Sequence, residues 1–522
     1  MITISIKRMK EMKARTLISS LLSASLIMAA AACSDDDAPK TSPYEWGNQG
    51  SVKTCDHILF NADGSENENG TVIGNGDQEF VFTGNQTLKK GVYELKGWVY
   101  VGAGATLTIE PGTVIRGDKE TQASLIVEPG GKLYAEGTAT EPIVFTSEQA
   151  KGQRKPGDWG GLIICGKARN NQGVLGQQIE GGPRTKHGGT DDNDNSGVLR
   201  YVRVEFAGYP FQKDKEINGI TFGSVGSGTT VDHVQVSYSN DDSYEWFGGS
   251  VNCRYLVAYN GWDDEFDTDN GFSGKVQFCL SIRDPRIADT SQSNGFESDN
   301  CADGSLVEPF TSAVFSNVTF IGPLGRDANF SNDASYINGG SYNPNNGSAL
   351  GKFQAAMQIR RSSRLNCFNS VAIGYPIGLI IDGEKGNTVE SAKNGQIGLQ
   401  NVWFAGMGIT GSDANKVYDD VLYDARNKAV IDANQESYSS TFFKAQSGNR
   451  VMPNIADLLL SDPRHIGVNY LPTASSPLLN AASFSNPLLA SWFEQVSYIG
   501  AFGSSDNWLD GWTNFDPQNT DY

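Results

Sequence analysis

The chain has 522 residues, of which 38% are hydrophobic and 19% charged, with 60 Gly, 19 Pro and a net charge of −19. These figures exclude a disordered chain, a collagen and a multi-span membrane protein, and the acidic balance argues against a nucleic-acid partner, because phosphate binding needs a basic footprint. Few charges together with abundant Gly suit a β-rich chain with many tight turns.

The first residues read as an export signal. Lys7, Arg8, Lys10, Lys13 and Arg15 form a basic region, Leu17 to Ala32 is apolar or small, and Ala30-Ala31-Ala32 lead into Cys33. This predicts a signal peptide over 1–32, too short in its apolar part to be a membrane span. Small residues ending on a cysteine resemble a bacterial lipoprotein, which implies lipidation of Cys33 and an anchor in the outer membrane. Ser34-Asp35-Asp36-Asp37 is similar to the acidic export signal of Bacteroidetes-type surface lipoproteins and implies display at the cell surface. Removing residues 1–32 takes away five basic side chains and one acidic one, so the net charge becomes −23. Six further cysteines are too few for a disulfide scaffold, and Cys165 and Cys279 lie in apolar runs that suit buried small hydrophobes; no cysteine spacing matches a zinc site.

Residues 33–76 are polar and are expected to form a lipidated tether and loop. Repeats follow. Leu107-Thr108-Ile109-Glu110-Pro111-Gly112 recurs as Leu125-Ile126-Val127-Glu128-Pro129-Gly130, 18 residues on. Val234-Gln235-Val236 before Asp241-Asp242 recurs as Leu256-Val257-Ala258 before Asp263-Asp264, 22 residues on, and a third copy is expected at Phe278-Cys279-Leu280. Short β-branched runs between turns, with no helical stretch, predict an all-β fold in which each unit is one turn of a right-handed parallel β-helix over 77–450. Gly322 to Gly351 reads as a projecting loop, and the aromatic-rich stretch 451–522 as a cap over the open end.

Gly157-Asp158-Trp159-Gly160-Gly161-Leu162-Ile163, Asn195 to Arg203, Asp241 to Gly249 and Tyr498-Ile499-Gly500-Ala501-Phe502 resemble a group of bacterial pectin-lyase-like β-helix lipoproteins. The resemblance implies the fold and a setting beside TonB-dependent nutrient transporters. It implies no particular reaction.

The densest chemical signal is acidic. Asp241, Asp242 and Glu245 are followed by Asp263, Asp264 and Asp267, then Asp269, Glu297 and Asp299. If one unit is one rung, these stack ~4.8 Å apart, and like charges at that distance need a bound cation, raised pKa values or free solvation. Calcium is the most economical cation, with Asp267, Asp269 and Asp299 as ligands; a second candidate is Asp192, Asp194 and Ser196, which match the first half of a calcium loop but not its twelfth position, where Arg203 stands. Trp246 and Trp262 lie beside the acidic run and are expected to stack on a sugar, with Glu245 and Glu297 as further ligand-binding residues. The leading expectation is an extracellular glycan-binding protein. The alternatives are a calcium-dependent polysaccharide lyase or glycoside hydrolase, with Asp241, Asp242, Asp263, Asp264 and Asp267 as catalytic candidates, and a structural or adhesion surface protein. The paired aspartates at Asn240-Asp241-Asp242 resemble polygalacturonase-type hydrolases, but His187-Gly188 lies upstream of them and Arg426-Asn427-Lys428 too far downstream.

Overall fold

The computed structural model describes residues 53–211, 216–343, 345–413 and 436–522, with the backbone of 417–418, 421–424 and 429–430. The predicted signal peptide, Cys33 and the first part of the tether lie outside the described residues.

One face of the molecule is a parallel sheet of twelve strands running from Lys53–Cys55 to Ile409–Ser412. Successive strands stack in register, so single side chains form columns. Phe80, Val99, Leu125, Leu162, Ile220, Tyr244, Phe266, Phe296, Met357 and Leu379 follow one another rung by rung and all lie in the main core. Alternate residues of each strand point out. A second, larger parallel sheet closes the coil from the other sides. The chain is therefore an all-β parallel β-helix.

The rungs differ from the sequence repeats. Thr106–Ile109 and Ser124–Val127 belong to different sheets, and Leu107 stacks on Leu133 while Leu125 stacks on Val99, each 26 residues apart. The 18-residue Glu-Pro-Gly repeat thus marks two corners of the coil. Farther on, Val234 stacks on Leu256 at the expected 22, but Leu256 stacks on Cys279, one residue more.

In the central rungs two sides of the coil merge into long strands, Gly197–Glu205, Thr230–Ser237, Asn252–Tyr259, Lys275–Ile282 and Val314–Ile321. Each bends at one left-handed residue: Tyr201, His233, Tyr255, Phe278 and Asn317, with φ between 49° and 61°. That conformation costs a non-glycine residue roughly 1–2 kcal/mol. It is offset by stacking of the first four rings, whose centroids lie 4.4, 4.3 and 5.0 Å apart.

Both ends are closed differently from expectation. Residues 53–76 are not all tether: Lys53–Cys55 is the first strand, and the antiparallel pair Leu59–Phe60 and Val72–Ile73 covers the first rung, with Phe60 5.5 Å from Phe80. At the other end the helix Tyr438–Ala445 lies on the core, its Phe443 ring 3.9 Å from Phe404 and nearly parallel. Residues 451–522, expected to be the cap, instead run back along the flank. Glu494 bonds Gln277, Ala501 bonds Thr319, Trp512 accepts from Arg203, Asn514 bonds Gln235 and Pro517 accepts from Arg154. The aromatics of this segment are needed to cover the ladder of bent residues, with Trp508 5.2 Å from Tyr255 and Trp512 5.5 Å from His233.

Replacing Phe443 by Ala is expected to destabilise the chain by about 3–5 kcal/mol in denaturant unfolding, because it uncovers the last rung. A loss below about 1 kcal/mol would show that the helix does not close the core.

Candidate functional site

The outward column of the first sheet changes character along the molecule. It runs Tyr100, Ile126, Ile163, Thr221, Glu245, Asp267, Glu297, Gln358 and Ile380 in register. Its early apolar part is covered by Ile179, Ile217 and Phe211. Where that cover stops, three consecutive rungs present a carboxylate.

A second acidic column lies at the turn entering these strands and has a structural job. Asp242 Oδ1 accepts the backbone N–H of Asp264 at 2.8 Å, Asp264 Oδ1 accepts that of Asn294, and Asn294 Oδ1 accepts that of Ala355 at 3.0 Å. Each side chain ties its turn to the next rung. Asp241 and Asp263 lie beside this column, and Ser291 donates to Asp263 at 2.5 Å.

These carboxylates are crowded and withdrawn from water. Asp242, Glu245 and Asp264 are 8%, 6% and 4% exposed. Burial, then repulsion from neighbouring carboxylates, pushes Asp241, Asp242, Glu245, Asp264 and Asp267 well above the usual carboxylate range. The same causes push Asp263 and Asp269 up to about 7. Solvated surface turns, one of the three expected offsets, do not describe Asp242, Glu245 and Asp264, whereas Asp241, Asp263 and Asp267 are half-buried.

Cations neutralise only the edges. Arg283 donates to Glu265 at 2.7 Å with both side chains fully buried, and Arg360 and Arg361 pair with Glu297 and Asp299. Between them, two triads bring ligand atoms within 4.8 Å of one another: Asp241, Asp242 and Asp263, and Asp242, Glu245 and Asp267. Asp242 belongs to both. Asp263 Oδ1, Asp267 Oδ1 and the neighbouring Asn240 Oδ1 and Asn218 Oδ1 are buried acceptors with no hydrogen-bond donor. Oxygens in this state fit a hard cation with an all-oxygen shell, and calcium suits the donor set.

Several expected site residues fall elsewhere. Trp246 is 0% exposed and inside the coil, stacked on Phe222 and Phe272 at 5.7 and 5.3 Å; Trp262 is 1% exposed under the loops, donating to Ala349 O. Neither offers a face to a sugar, because strand alternation turns Trp246 inward when Glu245 points out. The loop at Asp192, Asp194 and Ser196 does not converge on a cation. Arg169 donates to Asp192 and the Lys167 N–H to Asp194 Oδ2, so both carboxylates are engaged, while Ser196 Oγ is buried without a partner. Asp269 is engaged by Asn270 and Asp299 by the two arginines, so of the first calcium set only Asp267 remains in a triad. Glu297 is in the column but is paired with Arg360.

The sequence reading missed Asn218, which donates to Glu245, and Glu180, Glu216 and Asp289, whose charges raise Asp241. Asn218 stands at the turn position of Asp242, two residues before Ile220, which pairs with Tyr244, but at an offset of 24 and not 22; Glu180, Glu216 and Asp289 lie between strands, where no repeat reaches them. It also missed Cys55, His57 and Glu66, whose ligand atoms meet within 4.8 Å in the N-terminal hairpin; the Cys-x-His spacing was the available signal.

A carboxyl raised in the folded state binds more protons there than in the unfolded chain. Its contribution to stability is complete below the ordinary value of 3.8 and is lost as pH rises to about 7, the value reached by Asp263 and Asp269. With a chelator present, the melting temperature is expected to fall from about pH 5 to about pH 7.5, and Asp263→Asn should flatten the fall. A melting temperature that rises across this window would contradict the electrostatics described.

A family model described as a pectate-lyase like beta helix domain matches residues 81–452, more than two thirds of the chain. No curated protein and no solved structure matches it. The matched residues span the rungs from Phe80–Phe82 to Arg450–Met452 and include every carboxylate of both triads, and the chain belongs to the pectate-lyase-like β-helix family.

Proposed function

We propose that this protein binds an extracellular glycan in the acidic groove of its first sheet, with calcium held by Asp241, Asp242, Glu245, Asp263 and Asp267. The observation that carries the reading is the pair of triads sharing Asp242, with acceptor oxygens that lack donors. A cation bound there would relieve the repulsion and offer the hydroxyl or carboxylate oxygens of a glycan a coordinating centre. The export signal and Cys33 support a lipid anchor in the outer membrane with the β-helix at the cell surface, as an accessory to a TonB-dependent transporter.

A second reading, a polysaccharide lyase or glycoside hydrolase, draws on Asp263. A carboxyl titrating near 7 among other carboxylates suits a general acid. Binding is favoured over elimination because the guanidiniums nearest the groove, those of Arg283, Arg360 and Arg361, are already paired with carboxylates.

Calorimetry of the purified full chain with calcium is expected to show saturable binding that Asp242→Asn weakens by about tenfold or more, since it removes a charge from both triads. Unchanged affinity would reject the site. A panel of polysaccharides, with calcium, should give retention without new reducing or unsaturated ends. New ends that vanish in Asp263→Asn would transfer the assignment to the enzyme.

A further inference from the structure

A cavity of about 640 Å³ opens among the turns beyond the groove, lined by Asp284, Arg286, Arg326, Asp327, Asn338 and Ser341. It is a wide-open depression on the surface, with room for a small molecule. Asp284 follows Arg283, the arginine that neutralises Glu265, so the chain passes directly from the acidic groove into this cavity.

One buried donor of the cavity is without a partner. Arg326 Nη1 is buried and has no hydrogen-bond partner. Among the described residues neither Arg286 nor Arg326 has a carboxylate oxygen within 4.0 Å, although two aspartates line the same space. Those aspartates accept hydrogen bonds from other donors and feel the guanidiniums only as charges, Arg326 and Arg286 on Asp284 and Arg286 on Asp327. Asp284 Oδ1 accepts the Arg286 N–H at 2.9 Å, and Asp327 accepts the Asn329 N–H at 2.9 Å and the Tyr336 hydroxyl. The Arg286 guanidinium lies 5.0 Å from the centre of the Tyr336 ring, and that of Arg326 lies 5.9 Å from the centre of the Tyr259 ring. Ring contacts hold a guanidinium in place without using its hydrogen-bonding fork. Asn338 accepts from the Gly340 N–H through Oδ1, which leaves its amide hydrogens to donate.

We propose that this cavity binds an oxyanion, a sulfate or a carboxylate, carried on a solute of sugar size, with Arg286 and Arg326 gripping the anion and Asn338 and Ser341 contacting the attached hydroxyls. Two guanidiniums set beside rings, neither hydrogen-bonded to a carboxylate, supply the forked donors that such groups require. The site is separate from the acidic groove and does not depend on calcium binding there.

The test titrates the purified full chain with glucose 6-sulfate, glucuronate and glucose, with calorimetric detection. At least one anionic sugar is expected to bind saturably and about tenfold or more tighter than glucose, and Arg326→Gln and Arg286→Gln should each weaken it by a similar factor. Preference for the sulfate ester would assign a tetrahedral anion and preference for glucuronate a planar one. Equal binding of charged and neutral sugars, no binding, or anion binding unchanged in both variants would overturn the proposal. Arg286 is solvent-exposed, so Arg286→Gln carries the test if Arg326→Gln fails to fold. Calcium affinity measured on Arg286→Gln should equal that of the parent, which separates failure here from failure of the groove reading.

Discussion

In-register parallel stacking is the constraint from which the rest of this molecule follows. Each rung sets its residues ~4.8 Å from their counterparts, so whatever occupies one position is repeated along a column. Inside the coil this favours stability, because Val99, Leu125, Leu162 and their successors pack into a continuous core. Outside, the same register sets Glu245, Asp267 and Glu297 one above another. No side-chain rotation can separate them far, so the charge must be met by protonation, by cations from the protein or by cations from solution. The offset differs along the column. Glu297 has Arg360, whereas Glu245 and Asp267 meet only raised pKa values and the amide of Asn218.

The flank solves a different problem with the same register. Bending a long strand at a fixed place puts left-handed residues in one column, and four of them are ring-bearing residues whose stacking offsets the backbone cost. A stack of rings is also an apolar ridge that water would touch. The returning segment 483–522 covers it, and this explains why the aromatics of the C-terminal stretch lie beside the solenoid and not over its end. The helix Tyr438–Ala445 is thereby left to close the last rung, with Asp413 accepting the N–H groups of Tyr438 and Ser439 at 2.9 Å.

Fold class was legible because strand-length apolar runs between turns leave few alternatives, and the 22-residue offset between Asp241-Asp242 and Asp263-Asp264 is a true rung. The 18-residue repeat misled because Glu-Pro-Gly suits any tight corner, and one coil of this solenoid has more than one. The acidic cluster was legible for the same reason as the rung: both columns repeat with the register. Side-chain direction was not. Trp246 and Glu245 are adjacent, so one faces the core and the other the groove, and composition alone could not assign which. The residues that flank the acidic column, Ile179, Glu180, Glu216, Ile217 and Asp289, come from segments between strands and reach the site through folding and not through periodicity.

The turn column separates what the fold needs from what it carries in excess. At Asp242, Asp264 and Asn294 the structural task is identical: one side-chain oxygen accepts the N–H of the next rung. Asn294 performs it with a neutral amide. The backbone ladder therefore requires an oxygen at this position and does not require a charge. Carboxylates at 242 and 264, placed where burial and neighbouring acids oppose ionisation, add electrostatic cost with no gain to the ladder. Their second oxygens are what an amide could not supply to a cation as an anionic ligand. The charge at the turn position is present on the rungs where the two triads form and absent one rung later, at Asn294, where the outer-column Glu297 is paired with Arg360. Charge at these two positions is therefore something the ladder does not require, and it lies on the rungs where ligand atoms converge.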